Sequence, residues 1–201
     1  MTIKDEELAQ ISASAFLNMV LHIFRFWSTK DISKREIVYG FLMGYIMDNI
    51  RVIRNIIPVL HTNRDNFDFD KNFIEIWKSL DEQEEERGSM NRVIGWYRSS
   101  NKGIKFTARD TKNQILFQEK NPKYIALIFA PDIYLQPDQY GFSVFRLQGD
   151  KYYNMMTDNY KIPWEIQTIE DPQEIISDFK VYINNYFLNK PLILEYNEQN
   201  Q

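Results

Sequence analysis

The side chains best suited to catalysis or metal binding in this chain of 201 residues lie between residues 98 and 110. Arg98, Ser100 and Asp110 combine a permanent cation, a hydroxyl group and a carboxylate. The carboxylate is a possible metal ligand, but a guanidinium stays protonated in a protein and repels a cation. Ser100 is a poor ligand for zinc, and Asp110 alone cannot hold that ion. Arg98 can instead pair with Asp110 or point to solvent, and the sequence leaves both arrangements open.

Thr107 gives Asp110 a second, structural role. The spacing Thr107-x-x-Asp110 is that of a capping box. In this motif the side chain of the N-cap residue accepts a hydrogen bond from the backbone N–H of the third helical residue, and the side chain of that third residue accepts one from the backbone N–H of the N-cap residue. This role needs no metal. We therefore predict a helix that begins at Thr107, and we expect capping to be the main role of Asp110.

Other metal ligands are scarce in the sequence. The chain has no cysteine, which excludes disulfides and thiolate zinc sites. Its two histidines, His22 and His61, are isolated from each other in the sequence. Since zinc sites need clustered ligands, we expect each histidine to be a packing or surface residue.

Composition indicates one globular domain with a substantial core, because 44% of the residues are hydrophobic and 15% are aromatic. The 24 basic and 28 acidic residues give a net charge of −4, which offers no support for nucleic-acid binding. The acidic run at residues 81–86 is interpreted as a solvated helix face. No apolar run is long enough to span a membrane, and the polar N-terminal residues do not resemble a targeting peptide. These features predict a soluble protein of the cytoplasm, or of the nucleus if the source is eukaryotic.

Hydrophobic periodicity predicts a mixed order of helices and strands. A buried hairpin is expected from two apolar runs separated by Met47-Asp48-Asn49, a turn signal. The predicted helices cover residues 8–27, 69–87, 107–120 and 171–188. The predicted strands cover residues 37–46, 50–60, 92–97, 124–129, 142–147 and 164–166. Residues 132–140 are expected to form a long loop.

Several motifs occur in the order found in the MPN/JAMM family of zinc isopeptidases. The segment Gly95-Trp96-Tyr97-Arg98-Ser99-Ser100 resembles the family's Gly-Trp-Tyr-His-Ser-His, and Thr107-Ala108-Arg109-Asp110 resembles its Ser-x-x-Asp. Further similarity is carried by Val38-Tyr39-Gly40-Phe41-Leu42-Met43-Gly44, Asp110-Thr111-Lys112-Asn113-Gln114, Asn121-Pro122-Lys123-Tyr124-Ile125-Ala126-Leu127-Ile128-Phe129 and Gly141-Phe142-Ser143-Val144-Phe145-Arg146-Leu147.

The resemblance implies an α/β (α+β) fold of the MPN/JAMM type, which is layered like that of cytidine deaminase. A curved mixed β-sheet flanked by helices is expected over residues 8–168, with a C-terminal helix and tail over residues 169–201. It also implies that the site is degenerate. The two ligand histidines fall on Arg98 and Ser100, the serine on Thr107, the ligand aspartate on Asp110 and the catalytic glutamate on Ile37. Glu36 lies one residue earlier, so a strand directs it to the opposite face.

The resemblance therefore implies a member without catalytic residues, zinc or another cofactor. Inactive relatives commonly pair with an active MPN deubiquitinase or join assemblies such as the proteasome lid, so the expected function is that of a scaffold or binding subunit. The expected partner is another MPN-domain protein, in a homodimer or heterodimer, and ubiquitin or a ubiquitin-like protein is a further candidate. The interface is expected to use exposed apolar residues of the first helix and of the helix after residue 69. The alternatives are a divergent zinc isopeptidase and a ubiquitin-like-protein binder that does not cleave.

Overall fold

A computed structural model describes residues 7–27, 31–64, 67–148 and 158–167, together with the backbone of residues 196 and 197. The elements, in chain order, are β1 (Leu8–Ser12), α1 (Ala13–Arg25), a single 3-10 turn (Ile32–Lys34), β2 (Ile37–Met47), β3 (Ile50–Thr62), α2 (Lys71–Glu86), β4 (Arg92–Ser99), α3 (Ala108–Lys120), β5 (Ile125–Phe129), α4 (Pro131–Tyr134), β6 (Phe142–Gln148), β7 (Asp158–Ile162), β8 (Trp164–Gln167) and β9 (Tyr196–Asn197).

A single mixed sheet organises these elements, in the order β7-β6-β5-β4-β2-β3-β1-β8, with β9 beside β3. The hairpin of β2 and β3 is antiparallel, whereas β4 and β5 run parallel and are linked through α3. Strands β7 and β8 lie at opposite ends of this order although only Pro163 separates them in sequence. The sheet must therefore curl until its two ends approach each other, and the carbonyl of Pro163 accepts a hydrogen bond from the Ala9 N–H at 2.9 Å.

The curled sheet separates two apolar cores. Alternate residues of each strand point to opposite faces, so Val38 and Leu42 of β2 pack with α1 while Tyr39 and Phe41 pack with α2 and α3. The second core is rich in aromatic rings, and Trp77 of α2 stacks on Phe117 of α3 with centroids 4.0 Å apart. Both faces of the central strands are therefore buried, which explains the nearly continuous apolar sequence of β2.

Glycines of two family-like motifs lie where neighbouring backbones leave no room for a side chain. A Cβ atom at Gly44 would lie 1.8 Å from the carbonyl oxygen of Val52, and one at Gly95 would lie 2.1 Å from that of Ile125. The first glycine lies in the hairpin and the second lies where β4 contacts β5. Sterics thus account for the glycine in Gly95-Trp96-Tyr97 without any chemical role.

The predicted fold class is confirmed, with three local corrections. Residues 8–12 form a strand and not the start of the first helix, because they pair in parallel with both β3 and β8; the helix begins after Ser12, whose hydroxyl accepts the Ala15 N–H at 3.2 Å. The predicted loop at residues 132–140 contains part of the short helix α4, and strand β7 was not predicted. The predicted helix at residues 171–188 lies outside the described residues.

The expected exposure of apolar side chains on α1 and α2 is wrong. The structure describes both helices completely, and the large hydrophobic residues that it finds exposed all lie elsewhere. Apolar residues of α1 such as Phe16 and Met19 are buried against the sheet, and those of α2 are buried or half-buried. None of the helices in the described part of the chain has the length and apolarity needed to cross a bilayer.

Candidate functional site

Arg98 and Asp110 form a buried ion pair between β4 and α3. The Nε atom of Arg98 donates to Oδ1 of Asp110 at 2.6 Å, and Nη2 donates to Oδ2 at 2.7 Å. The side chains are only 5% and 2% exposed, respectively. Two parallel charge-assisted bonds of this kind fix both the distance and the orientation of the groups. Of the two arrangements that the sequence left open for Arg98, the structure has the pair with Asp110.

The remaining donors of Arg98 are used by backbone carbonyls. Nη1 donates to the oxygen of Ser99 at 2.9 Å, and Nη2 also donates to the oxygen of Lys105 at 3.1 Å. Lys105 belongs to the loop that connects β4 with α3. Arg98 therefore hydrogen-bonds to the end of β4, to the loop that follows it and to the first turn of α3.

Asp110 is the third helical residue of a capping box whose N-cap is Thr107, as the spacing predicted. The Thr107 hydroxyl accepts the Asp110 N–H at 3.2 Å, and Oδ2 of Asp110 accepts the Thr107 N–H at 2.7 Å. The same oxygen accepts the Thr107 hydroxyl at 2.8 Å. With the two bonds from Arg98, the carboxylate accepts four hydrogen bonds, three of them at Oδ2 and one at Oδ1.

Replacing Thr107 with alanine should lower the free energy of unfolding by about 1–2 kcal/mol, because the change removes the N-cap and one donor to Asp110. Chemical denaturation monitored by circular dichroism measures this value. Thr107→Ser keeps the hydroxyl and should lose less than half as much. Equal losses for the two variants would show that the methyl group of Thr107 matters and the capping hydrogen bonds do not.

Two other residues of the family-like motifs, Ile37 and Ser100, contribute no charge to this site. Ile37 opens β2 and is buried in the core that faces α2 and α3. Ser100 follows β4, is 6% exposed, and its hydroxyl accepts the Lys102 N–H at 3.3 Å. The structure thus brings Arg98, Thr107 and Asp110 together, and it places an apolar residue and a neutral hydroxyl where a base and a second imidazole would be expected.

Glu36 lies on the other face of the sheet, as strand alternation predicted. Its Oε2 atom lies 2.5 Å from Nδ1 of His61, and the His61 ring stacks on Phe26, which follows α1, with centroids 4.1 Å apart. This pair was missed in the sequence analysis. Counting back from the closing pair, Met47 opposite Ile50, does not explain it, because the observed hairpin shifts register twice and places Val38, not Glu36, opposite His61.

His22 has a structural environment. It is 2% exposed, its Nδ1 atom lies 2.7 Å from the hydroxyl oxygen of Tyr97, and its ring contacts Phe26 and Tyr97 edge to face. The described residues contain no group of three or more histidine, cysteine, aspartate or glutamate side chains positioned to hold a metal ion. His22 is therefore packed in the core.

The donor set around Asp110 does not fit a catalytic zinc ion. Such a site needs about three protein ligands with free lone pairs and an open position for water. Here the carboxylate accepts four hydrogen bonds, its strongest partner is a guanidinium, and that guanidinium has no lone pair to offer a metal. The arrangement holds β4 against α3.

Comparisons with known proteins agree with this fold. The sequence model of the JAB1/Mov34/MPN/PAD-1 ubiquitin protease family matches residues 6–123, which is more than half of the chain. No curated protein matches the chain. Among solved structures, the solution structure of protein DSY2949 from Desulfitobacterium hafniense is similar, with a TM-score of 0.56 and 12% sequence identity over 81% of this chain and 95% of that chain. At this identity the likeness concerns the fold alone.

Proposed function

Because the chain belongs to the JAB1/Mov34/MPN/PAD-1 ubiquitin protease family, we propose that it is a non-catalytic member that serves as a scaffold or binding subunit. Its proposed partner is another MPN-domain protein, within a ubiquitin-related assembly of the proteasome-lid type. The observation that carries the proposal is the buried Arg98–Asp110 pair, which places a fixed cation on the only carboxylate of the family-like motif.

Three features of the site argue against turnover by metal-assisted hydrolysis. A metal would have to displace Arg98 from Asp110, which would leave a buried guanidinium without its counter-ion. No carboxylate stands at the position of Ile37 to take a proton from an attacking water. Glu36, the neighbouring carboxylate, lies on the opposite face and is bound to His61.

A scaffold role fits what the same residues do instead. Arg98 and Asp110 join β4, the following loop and α3, so the motif contributes to the stability of the domain. An MPN domain in which the Arg98–Asp110 ion pair takes the place of a reaction site can still bind a partner through its surface. The proposed function therefore depends on the outside of the domain and not on this interior site.

Two assays on the purified chain test the proposal. Hydrolysis of a fluorogenic ubiquitin substrate and of diubiquitin, with and without added zinc, should stay at the rate of the buffer blank. Co-expression with each MPN-domain protein of the same genome should yield one stable complex by size-exclusion chromatography with light scattering. Ser100→Ala, which leaves the ion pair intact, should behave like the unaltered protein in both assays. Zinc-dependent hydrolysis that a chelator abolishes would refute the proposal.

A further inference from the structure

Strands β7 and β8 form one extended segment that closes the curled sheet, the closing segment (residues 158–167). Pro163 alone separates the two strands in sequence, and β7 pairs with β6 whereas β8 pairs with β1. Along this segment the pairing changes from Ile162 opposite Val144 to Trp164 beside Ala9. Among the described strands, β7 and β8 are the two ends of the sheet, so the closing segment joins these ends to each other.

Few side chains hold the closing segment against the rest of the domain. Of the five residues of β7 and the four of β8, only Ile162 is buried, whereas the first eight residues of β2 are all buried. Trp164 is half-buried, and its ring centroid lies 4.2 Å from that of Phe142 in β6. Segments with few buried apolar contacts open locally at a lower free-energy cost than the core of a domain. The packing therefore points to the closing segment as a place of local opening.

A cluster of charged side chains bridges the two ends of the sheet beside β7, and Glu7 is its centre. The Oε1 atom of Glu7 accepts Nη2 of Arg146 in β6 at 2.8 Å and the hydroxyl of Tyr160 in β7 at 3.0 Å. Its Oε2 atom lies 3.0 Å from Nη2 of Arg51 in β3, and the Arg51 side chain is 0% exposed. Since Glu7 directly precedes β1, one carboxylate joins β1 and β3 to β6 and β7.

Backbone carbonyls hold both arginines in place independently of Glu7. Nη1 of Arg146 donates to the oxygen of Pro122 at 2.8 Å, and Nη1 of Arg51 donates to that of Asn49 at 2.7 Å. Burial lowers the pKa of Arg51, the Glu7 carboxylate opposes this shift, and the positive charge of Arg146 adds to it. Without the carboxylate, two fixed guanidinium groups would have no counter-ion between them, which would destabilise the closed arrangement.

We propose that the closing segment opens as a unit while the rest of the sheet stays folded, and that the Glu7 carboxylate keeps it closed. Opening breaks the pairing of β7 with β6 and of β8 with β1. Since no other described strand joins β6 to β1, opening also separates Glu7 from Tyr160 and Arg146. The inference goes beyond the proposed function and does not depend on it, because the Glu7 cluster shares no residue with the Arg98–Asp110 site.

Native-state hydrogen exchange of the full chain, followed by NMR over a range of low urea concentrations, tests this proposal. The amide of Ala9, which donates to the carbonyl of Pro163 at 2.9 Å, reports opening of the closing segment. The amides of Phe41 and Trp96, two buried residues of the central strands, report global unfolding. In the unaltered protein we expect the Ala9 amide to exchange faster than these central amides and to depend less on urea, because opening the segment exposes less surface than unfolding does.

Two substitutions distinguish local opening from global unfolding. Glu7→Gln weakens contacts that are lost in both events, so it should speed exchange of the Ala9 amide by about tenfold. Thr107→Ala weakens a helix cap that stays intact when only the closing segment opens. It should therefore speed exchange of the central amides but change that of the Ala9 amide by less than about twofold.

Glu165→Gln controls for the loss of a charge, because Glu165 is an exposed residue of the closing segment, and it should change Ala9 exchange by less than about twofold. Tyr160→Phe removes one hydroxyl of the cluster and should speed Ala9 exchange less than Glu7→Gln does; it takes the place of that variant if Glu7→Gln does not fold. The proposal is overturned if Thr107→Ala speeds exchange at Ala9 as much as at the central amides, since the segment would then open only with the whole domain. A change at Ala9 in Glu7→Gln no larger than that in Glu165→Gln would also overturn it.

Discussion

Replacing Arg98 with alanine is expected to lower the free energy of unfolding by about 3–5 kcal/mol. The change leaves the carboxylate of Asp110, which is 2% exposed, without its bidentate partner. It also removes the donors to the carbonyls of Ser99 and Lys105. Thr107 alone would remain to bind the carboxylate, so a buried charge would be left without a counter-ion.

Denaturation in urea, monitored by tryptophan fluorescence and circular dichroism, measures this loss. Arg109→Ala is the matched control. Arg109 precedes Asp110 in α3 and pairs with Asp68 at the surface, with side chains 36% and 43% exposed, respectively. An exposed pair of this kind contributes at most about 1 kcal/mol. Equal losses for the two variants, or no loss for Arg98→Ala, would contradict the structural role assigned to the buried pair.

The second large effect is the gain of a metal site. The combined substitutions Arg98→His and Ser100→His should give a protein that retains about one equivalent of zinc through dialysis. Removing the guanidinium frees Oδ1 of Asp110. Ser100 lies one residue past the end of β4, and if the chain stays extended there, an imidazole at position 100 faces the same side as one at position 98. Without metal the double variant should be less stable than the unaltered protein, and zinc should raise its melting temperature.

Arg98→His alone is the control for this experiment, because it supplies one imidazole and one carboxylate, which is one ligand fewer than a catalytic zinc site needs. Zinc content by mass spectrometry and the zinc-dependent shift in melting temperature are the readouts. If the double variant binds no more zinc than the single variant, the segment around Arg98 does not retain the ligand geometry of the family, and the mapping of ligands onto Arg98 and Ser100 is wrong.

Local signals were sufficient for much of the fold. The hairpin was predicted because its two apolar runs flank a turn signal, and Asp48 in that turn adopts a φ of 52°. The capping box placed the start of α3 at the correct residue, since a cap depends only on residues within one turn. Elements whose stability comes from neighbours in sequence were therefore predicted with nearly correct bounds.

The errors fall where distant parts of the chain decide the structure. Residues 8–12 have the apolar spacing of a helix, but they pair with β3 and with β8, and Gln10 bonds to Glu165 across 155 positions. No local pattern reports such a pairing. Strand β7 was missed because its side chains are mostly exposed, which leaves a weak hydrophobic signal. The expected exposure of large apolar side chains on α1 and α2 was wrong for a related reason, since the sequence alone does not show which apolar side of a helix the sheet covers.

At the site, residue spacing predicted the capping box of Thr107 and Asp110, but it did not predict the partner of Arg98. The sequence left Arg98 with two arrangements, because only the approach of α3 to β4 decides whether the guanidinium reaches Asp110. The pairing of Glu36 with His61 required the register of the hairpin, which two bulges in β3 shift by one residue each. The absence of a carboxylate at Ile37 could be read from the sequence directly.

The central claim is that the buried Arg98–Asp110 ion pair replaces the zinc site of the family. The zinc content of the unaltered protein tests this claim most directly. The protein should be purified without chelators, dialysed against metal-free buffer and analysed by inductively coupled plasma mass spectrometry. The account predicts zinc far below one equivalent, at the level found after Ser100→Ala. Zinc close to one equivalent that survives dialysis would contradict it, because Asp110, whose carboxylate is paired with Arg98, would then have to be a metal ligand.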